Sequence, residues 1–213
     1  MLIGHALLVP HLPTLVVDEH RGHRTEMLQA LERASEQLLA EQPDQIVALS
    51  ARWETPGPFM VDIGRRHGTI TDYKRFGVEV RYDCTGNPAL ARVLVEAGEK
   101  AGMHVGSATR GVDSGVSIPL HFLVPKRDRP VVPLSVAPRS AAECRQWGAV
   151  LRRALSAHAE RIAFVVGGLL AHNEHAWNLG REVPDGLELD RVVLDALARG
   201  EWDSLAASVA GLA

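Results

Sequence analysis

The chain has 213 residues, 46% of them hydrophobic and 23% charged, with a formal net charge of −3. That length suits one domain with a substantial core, and the slightly acidic balance, without a Lys/Arg cluster, argues against nucleic acid as a partner. No stretch of roughly 18 or more apolar residues is present to cross a membrane, the N-terminus lacks the basic segment of a signal peptide, and Cys84 and Cys144 are too few and too distant for a disulfide framework. These features lead to the expectation of a soluble, cytoplasmic protein.

In chain order, Leu2 to Val9 is an apolar, Pro-terminated run that predicts a buried strand. The polar stretch Asp18 to Arg24 reads as a loop. From Arg24 to Gln42 the apolar positions Met27, Leu28, Leu31, Leu38 and Leu39 fall at mainly helical spacing, and Pro43 closes the segment. Gln45 to Leu49 predicts the next strand, so these first elements form a βαβ unit with parallel strands. Pro56-Gly57-Pro58 forces a turn, and Phe59 to Ile63 begins another strand. Asn87-Pro88 opens a helix through Ala101, stopping near Gly102. Val131 to Val136 reads as a strand, Ala141 to His158 as a helix, Arg161 to Gly168 as a strand, and Leu187 to Leu197 as a last amphipathic helix.

Strands alternating with helices predict a single layered α/β/α domain over residues 1–213, with a mostly parallel central sheet. In such sheets reactive groups sit just past the C-terminal strand ends. His11, Arg52 and His172 each follow a predicted strand in that way.

Most residue types with chemistry carry no pattern. The cysteines lack a partnering His/Asn motif. Ser50 and Ser114 lack the Gly-x-Ser-x-Gly context of a hydrolase nucleophile, and Gly167-Gly168 is followed by no phosphate-binding fingerprint. His121 reads as packed behind the site. His172 and His175, three apart, would share a helix face and chelate a metal together with His11; His172 alone suits a general acid/base near neutral pH. Trp53 and Trp177 are candidate walls for an aromatic pocket.

Five blocks carry a resemblance: Val9-Pro10-His11-Leu12-Pro13; Ser50-Ala51-Arg52-Trp53-Glu54-Thr55; Thr71-Asp72-Tyr73 with Tyr82 to Ala91; Arg110 to Leu120; and Pro130 to Ser135 with Gly167 to Asn173. In this order they resemble class III extradiol ring-cleavage dioxygenases of the subunit-B type, near the DOPA-dioxygenase branch, over roughly residues 3 to 205. The resemblance implies that fold, shortened here at the C-terminus, and an enzyme opening a catechol-type ring with O2 and non-haem Fe(II). It places His11 at the first iron-ligand position, Arg52 where the second ligand, a histidine, stands, and Ser114 where a pocket histidine stands. His172 takes the position of the acid/base histidine. The third ligand would lie beyond the last residue of this chain.

Arginine is always charged and has only donors, so Arg52 cannot ligate Fe(II). At an effective dielectric of about 20 it adds repulsion of about 4 kcal/mol per unit charge at close range, doubled for a divalent ion. Its fork does suit a carboxylate. Three readings stay open: a dioxygenase completed by other ligands, a catalytically silent subunit paired with an active partner or with its own copy, and a repurposed pocket binding a small aromatic or organic acid through Arg52, Ser114, Trp53 and His172 without iron. In a bland alternative Arg52 pairs with Glu54 or Asp113 and fills the metal space.

Overall fold

The computed structural model describes residues 1–4, 6–171, 184–201 and 205. Two compact units are present, Met1–Gly168 and Leu169–Ala213. In the first, chain order runs β1 (Leu7–Val9), α1 (Pro13–His20), α2 (Glu26–Ala40), β2 (Gln45–Glu54), β3 (Phe59–Asp62), β4 (Arg66–His67), a 3-10 turn (Lys74–Phe76), β5 (Cys84–Thr85), α3 (Pro88–Lys100), β6 (Val105–Ala108), α4 (Ser114–Leu123), β7 (Val131–Val136), α5 (Ala141–Ala157) and β8 (Ile162–Gly167). In the second unit α6 (Pro184–Arg199) is described; Asp190 Oδ1 accepts from the Ala171 N–H at 2.7 Å, and Arg191 bonds Glu188 and Asp195 one turn to either side.

Six strands form the central sheet in the order β1-β8-β2-β7-β3-β6. The first four run parallel; β3 is antiparallel to β7, and β6 follows β3. The sheet is thus mostly parallel and flanked by helices on both faces. β1 and β2 are parallel as the βαβ reading requires, but β8, the last strand of the unit, inserts between them.

Strand alternation divides the core in two. Ile46, Ala48, Val131, Ala163 and Val165 face Leu15 and Val16 of α1, Leu31 and Leu38 of α2, and Val116, Ile118 and Leu120 of α4. Their neighbours Val47, Val132, Leu134 and Ile162 face Leu90 and Leu94 of α3 and Trp147, Val150 and Leu151 of α5. Phe59 stacks on Trp147 with ring centroids 5.7 Å apart. Each buried Val, Leu, Ile or Phe among them contributes about 1.5–3 kcal/mol by leaving water, which is why near-continuous apolar strands settle between two helix layers.

Helix starts follow local chemistry. The Thr25 side chain accepts from the Leu28 N–H at 3.3 Å to open α2. Asn87 accepts from Ala89 and Leu90 at 3.1 Å to open α3, where Pro88 sits at a position whose N–H is not needed. Ser140 and Glu143 form a capping box on α5.

Several elements depart from the sequence reading. The first strand is shorter than Leu2 to Val9, with Leu2 reduced to an isolated bridge to Ile162. Asp18, Glu19 and His20 belong to α1 rather than to a loop, because Pro13 starts a helix that buries Leu15 and Val16. α4 went unread: Pro119 inside it breaks the usual helical signal, and its other residues are buried nearly all round.

Candidate functional site

The register lines up Val9, Gly167, Ser50 and Ser135 as one row across β1, β8, β2 and β7. His11 and Arg52 each lie two residues past that row. Their strands flank β8, so they leave the sheet about 10 Å apart by ordinary strand spacing.

Beyond the row, β2 bulges. Ser50 pairs with Ser135 and Glu54 with Val136, so four steps on β2 span one step on β7. Ala51, Arg52 and Trp53 are lifted out of the ladder, and such bulges re-aim side chains. Trp53 turns inward and is buried, whereas the Arg52 side chain is 51% exposed.

The start of α4 is pressed onto this strand end by glycine. A Cβ on Gly167 would sit 1.6 Å from the Gly115 carbonyl oxygen, and one on Gly115 would sit 2.1 Å from Ser50 Oγ. Pro119 lacks the N–H that would take the Gly115 carbonyl in a regular helix, so this oxygen is turned to β8. The contact sets Ser114, the first residue of α4, beside the β2 bulge.

Asp113 joins these pieces. Fully buried, its Oδ1 accepts from Ser50 Oγ at 2.6 Å and from the Gly115 N–H at 3.0 Å, capping α4. Its Oδ2 accepts from Arg110 Nη1 at 2.5 Å. The Arg110 guanidinium in turn lies 5.4 Å from the centroid of the Trp53 ring. Behind Arg110, Asp62 accepts from the N–H groups of Arg110 (2.8 Å), Gly111 (2.9 Å) and Gly64 (2.8 Å). Burial alone would raise the Asp62 carboxyl, but the His67 ring beside it and the bonds from the Gly111, Arg110 and Gly64 N–H groups together outweigh it and hold the pKa at about 2. His67 Nε2 donates to the Val131 carbonyl at 3.0 Å, and its Nδ1 faces Asp62 Oδ2 at 3.5 Å.

Arg52 meets neither Glu54 nor Asp113. Its Nε donates to Asp72 Oδ2 at 3.3 Å. The same carboxylate accepts from Ser114 twice, from N–H to Oδ1 at 3.2 Å and from Oγ to Oδ2 at 2.9 Å. One anion therefore sits where a guanidinium and the N-terminus of α4 converge, both of which favour negative charge. Among the described residues, the terminal amino groups of Arg52 have no hydrogen bond.

Asp72 belongs to a pinned loop. Asp83 Oδ1 accepts from Thr69 N–H at 2.8 Å and from Thr69 Oγ1 at 2.9 Å, and Thr69 Oγ1 accepts from the Tyr82 N–H at 2.7 Å. Tyr73 is buried next to Asp72, and its hydroxyl accepts from Val80 N–H at 2.7 Å.

The structure thus brings Arg52 and Ser114 together through Asp72. Trp53 is placed differently, as a buried platform beneath Arg110. His11 stands between β1 and α1 with Nδ1 inside the fold. His172, His175 and Trp177 lie outside the described residues. His121 is not packed behind the site: it bonds Glu19 at 2.7 Å and lines a separate groove of about 450 Å³ with Leu28, Glu32 and Phe122.

Among the described residues, no three His, Cys, Asp or Glu side chains cluster to hold a metal. At the β2 end the donor is a guanidinium already turned to a carboxylate. These residues do not fit Fe(II).

Comparison with known proteins adds lineage. A family model described as the catalytic LigB subunit of aromatic ring-opening dioxygenase matches residues 5–209. The chain is 27% identical over 187 residues to a 4,5-DOPA dioxygenase extradiol of Mirabilis jalapa, covering 84% of this chain and 68% of that one. It is 28% identical over 194 residues to the dioxygenase tasH of Hapsidospora irregularis, covering 86% and 58%. A crystal structure of an uncharacterized protein of Escherichia coli K12 superposes with a TM-score of 0.63 at 24% identity, over 81% of this chain and 66% of that one, a likeness of fold. The matched region thus spans a little over half to two thirds of these relatives' length.

Proposed function

The chain belongs to the LigB family, described as catalytic subunits of aromatic ring-opening dioxygenases, and from that premise we propose that it is a member whose strand-end pocket takes a small carboxylate-bearing organic acid through Arg52 and Ser114 instead of a metal ligand set. The observation that carries this reading is the placement of Arg52: lifted out of β2 by the bulge, half exposed, bound to Asp72 through Nε, and without a hydrogen bond on either terminal amino group among the described residues. A guanidinium fork matches a carboxylate with two parallel bonds. At about 1.5–3 kcal/mol per charge-assisted bond, the pair supplies the ~4 kcal/mol of a dissociation constant near ~1 mM. Arg52 would orient the acid, and Ser114 would present its hydroxyl to the same group. His172 stands by resemblance as the acid/base partner.

The test is calorimetric titration with benzoate, which wild type binds and Arg52→Ala does not; equal binding by both would end this reading.

The family match and the relatives' names favour a second reading, the opening of a catechol-type ring with Fe(II) and O2. That reading needs a metal site completed by residues outside those described or by a partner chain, and a silent subunit beside an active one is its limiting form. Metal analysis after anaerobic Fe(II) loading and desalting separates the two. Close to one iron per chain supports ring opening by this chain, and little retained iron removes that form of the second reading, leaving the benzoate titration to decide for the acid pocket.

A further inference from the structure

Resting on the acid-pocket reading, we propose that Asp72 is a tethered competitor that occupies the ligand cradle and is exchanged for the incoming carboxylate. The Asp72 carboxylate already makes the contacts a bound acid would make: Arg52 Nε at 3.3 Å, Ser114 Oγ at 2.9 Å and the Ser114 N–H at 3.2 Å. With Asp72 in place the Arg52 charge is balanced, and a second carboxylate would meet an anion within a few ångströms. A ligand therefore gains the whole cradle only by turning Asp72 away.

The loop is built for exchange by side-chain rotation. The Thr69–Asp83 clasp and buried Tyr73 fix the backbone on either side of Asp72. The Asp72 side chain is 22% exposed, so rotation about its first torsion returns the carboxylate to water while these anchors stay closed. Because it is tethered, Asp72 competes at an effective concentration in at least the millimolar range. Monocarboxylates such as benzoate are weakened by this competition without being excluded, and acids that engage the terminal amino groups of Arg52 as well as Ser114 are favoured.

Calorimetric titration with benzoate tests this on wild type, Asp72→Ala, Asp72→Asn and the double variant Asp72→Ala/Arg52→Ala. The Asn variant keeps an acceptor for Ser114 while removing the charge, which guards against a folding defect in the Ala variant. Both single variants bind benzoate about tenfold more tightly than wild type, and the double variant loses binding. Unchanged or weaker binding in both, with wild-type binding still lost on Arg52→Ala, overturns the competitor role and leaves the pocket standing. No binding by any folded variant removes the pocket reading and this inference with it.

Discussion

Ser114 holds Asp72 by two bonds, from its backbone N–H at 3.2 Å and its hydroxyl at 2.9 Å, and Asp72 holds Arg52 in turn. This chain of three residues ties the first turn of α4 to the bulge of β2. It replaces, at the strand end, what the family resemblance leads one to expect as two histidines.

Lysine does not substitute for arginine there. Arg52→Lys keeps the charge but loses the fork, so benzoate affinity falls by about tenfold or more, the equivalent of one charge-assisted bond of about 1.5–3 kcal/mol. Equal affinity in titrations of the two proteins would mean that only the charge is read.

Asp62 makes stability depend on acid. Its folded pKa of about 2 lies below the ordinary 3.8. The contribution is therefore complete above the unfolded value and is lost as pH falls from about 4 towards 2. With each tenfold change in proton affinity equivalent to about 1.4 kcal/mol, it amounts to about 2 kcal/mol. Urea unfolding of wild type loses that amount across the window. Asp62→Asn starts less stable at pH 6 and shows a flatter pH dependence.

Two glycine substitutions have opposite signs. Gly167→Ala drives a methyl group into the Gly115 carbonyl, lowers stability by about 1–3 kcal/mol and displaces Ser114. Gly148, inside α5, faces open space, with nothing within 4 Å of where a methyl group would stand. Gly148→Ala stabilises by about 0.5–1 kcal/mol. Melting temperatures of the two variants should move in opposite directions.

The two thiols react at different stages. Cys84 is buried, and burial, followed by the charges of Asp83 and Asp62, pushes its thiol up to about 12. Cys144 is exposed, raised by its partial burial and then by Glu143. A chromogenic disulfide reagent near pH 8 titrates Cys144 in the native chain and reaches Cys84 only after denaturant is added. Simultaneous reaction would show the core around Cys84 to be open.

Much of the scaffold is legible in the sequence. Continuous apolar runs mark β7 and β8 to within a residue, and the capped, periodic stretches mark α2, α3 and α5, because burial between two layers leaves those patterns. Both α4 and the β2 bulge escaped. Pro119 hides the helix, and a bulge has no periodicity of its own. The apolar run before it puts Arg52 at a strand end, and the family resemblance puts Ser114 in the same site, but the sequence does not connect Asp72 to them, since its partners are 20 and 42 residues away and only the pinned loop brings them together. Asp62 and Arg110 were missed as supports for the same reason: backbone donors to a carboxylate leave no residue signature.

Ligand binding turns on the Arg52 fork taking a carboxylate, and the side-chain Nε–Hε resonance, on the same guanidinium and bonded to Asp72 in the free protein, reports that exchange. Its signal, identified by its disappearance in Arg52→Ala, is followed by ¹⁵N-correlated NMR as benzoate is added. A saturable shift of this resonance, larger than that of the other arginines, is the predicted result. Benzoate binding that leaves the Arg52 resonance in place would contradict the account.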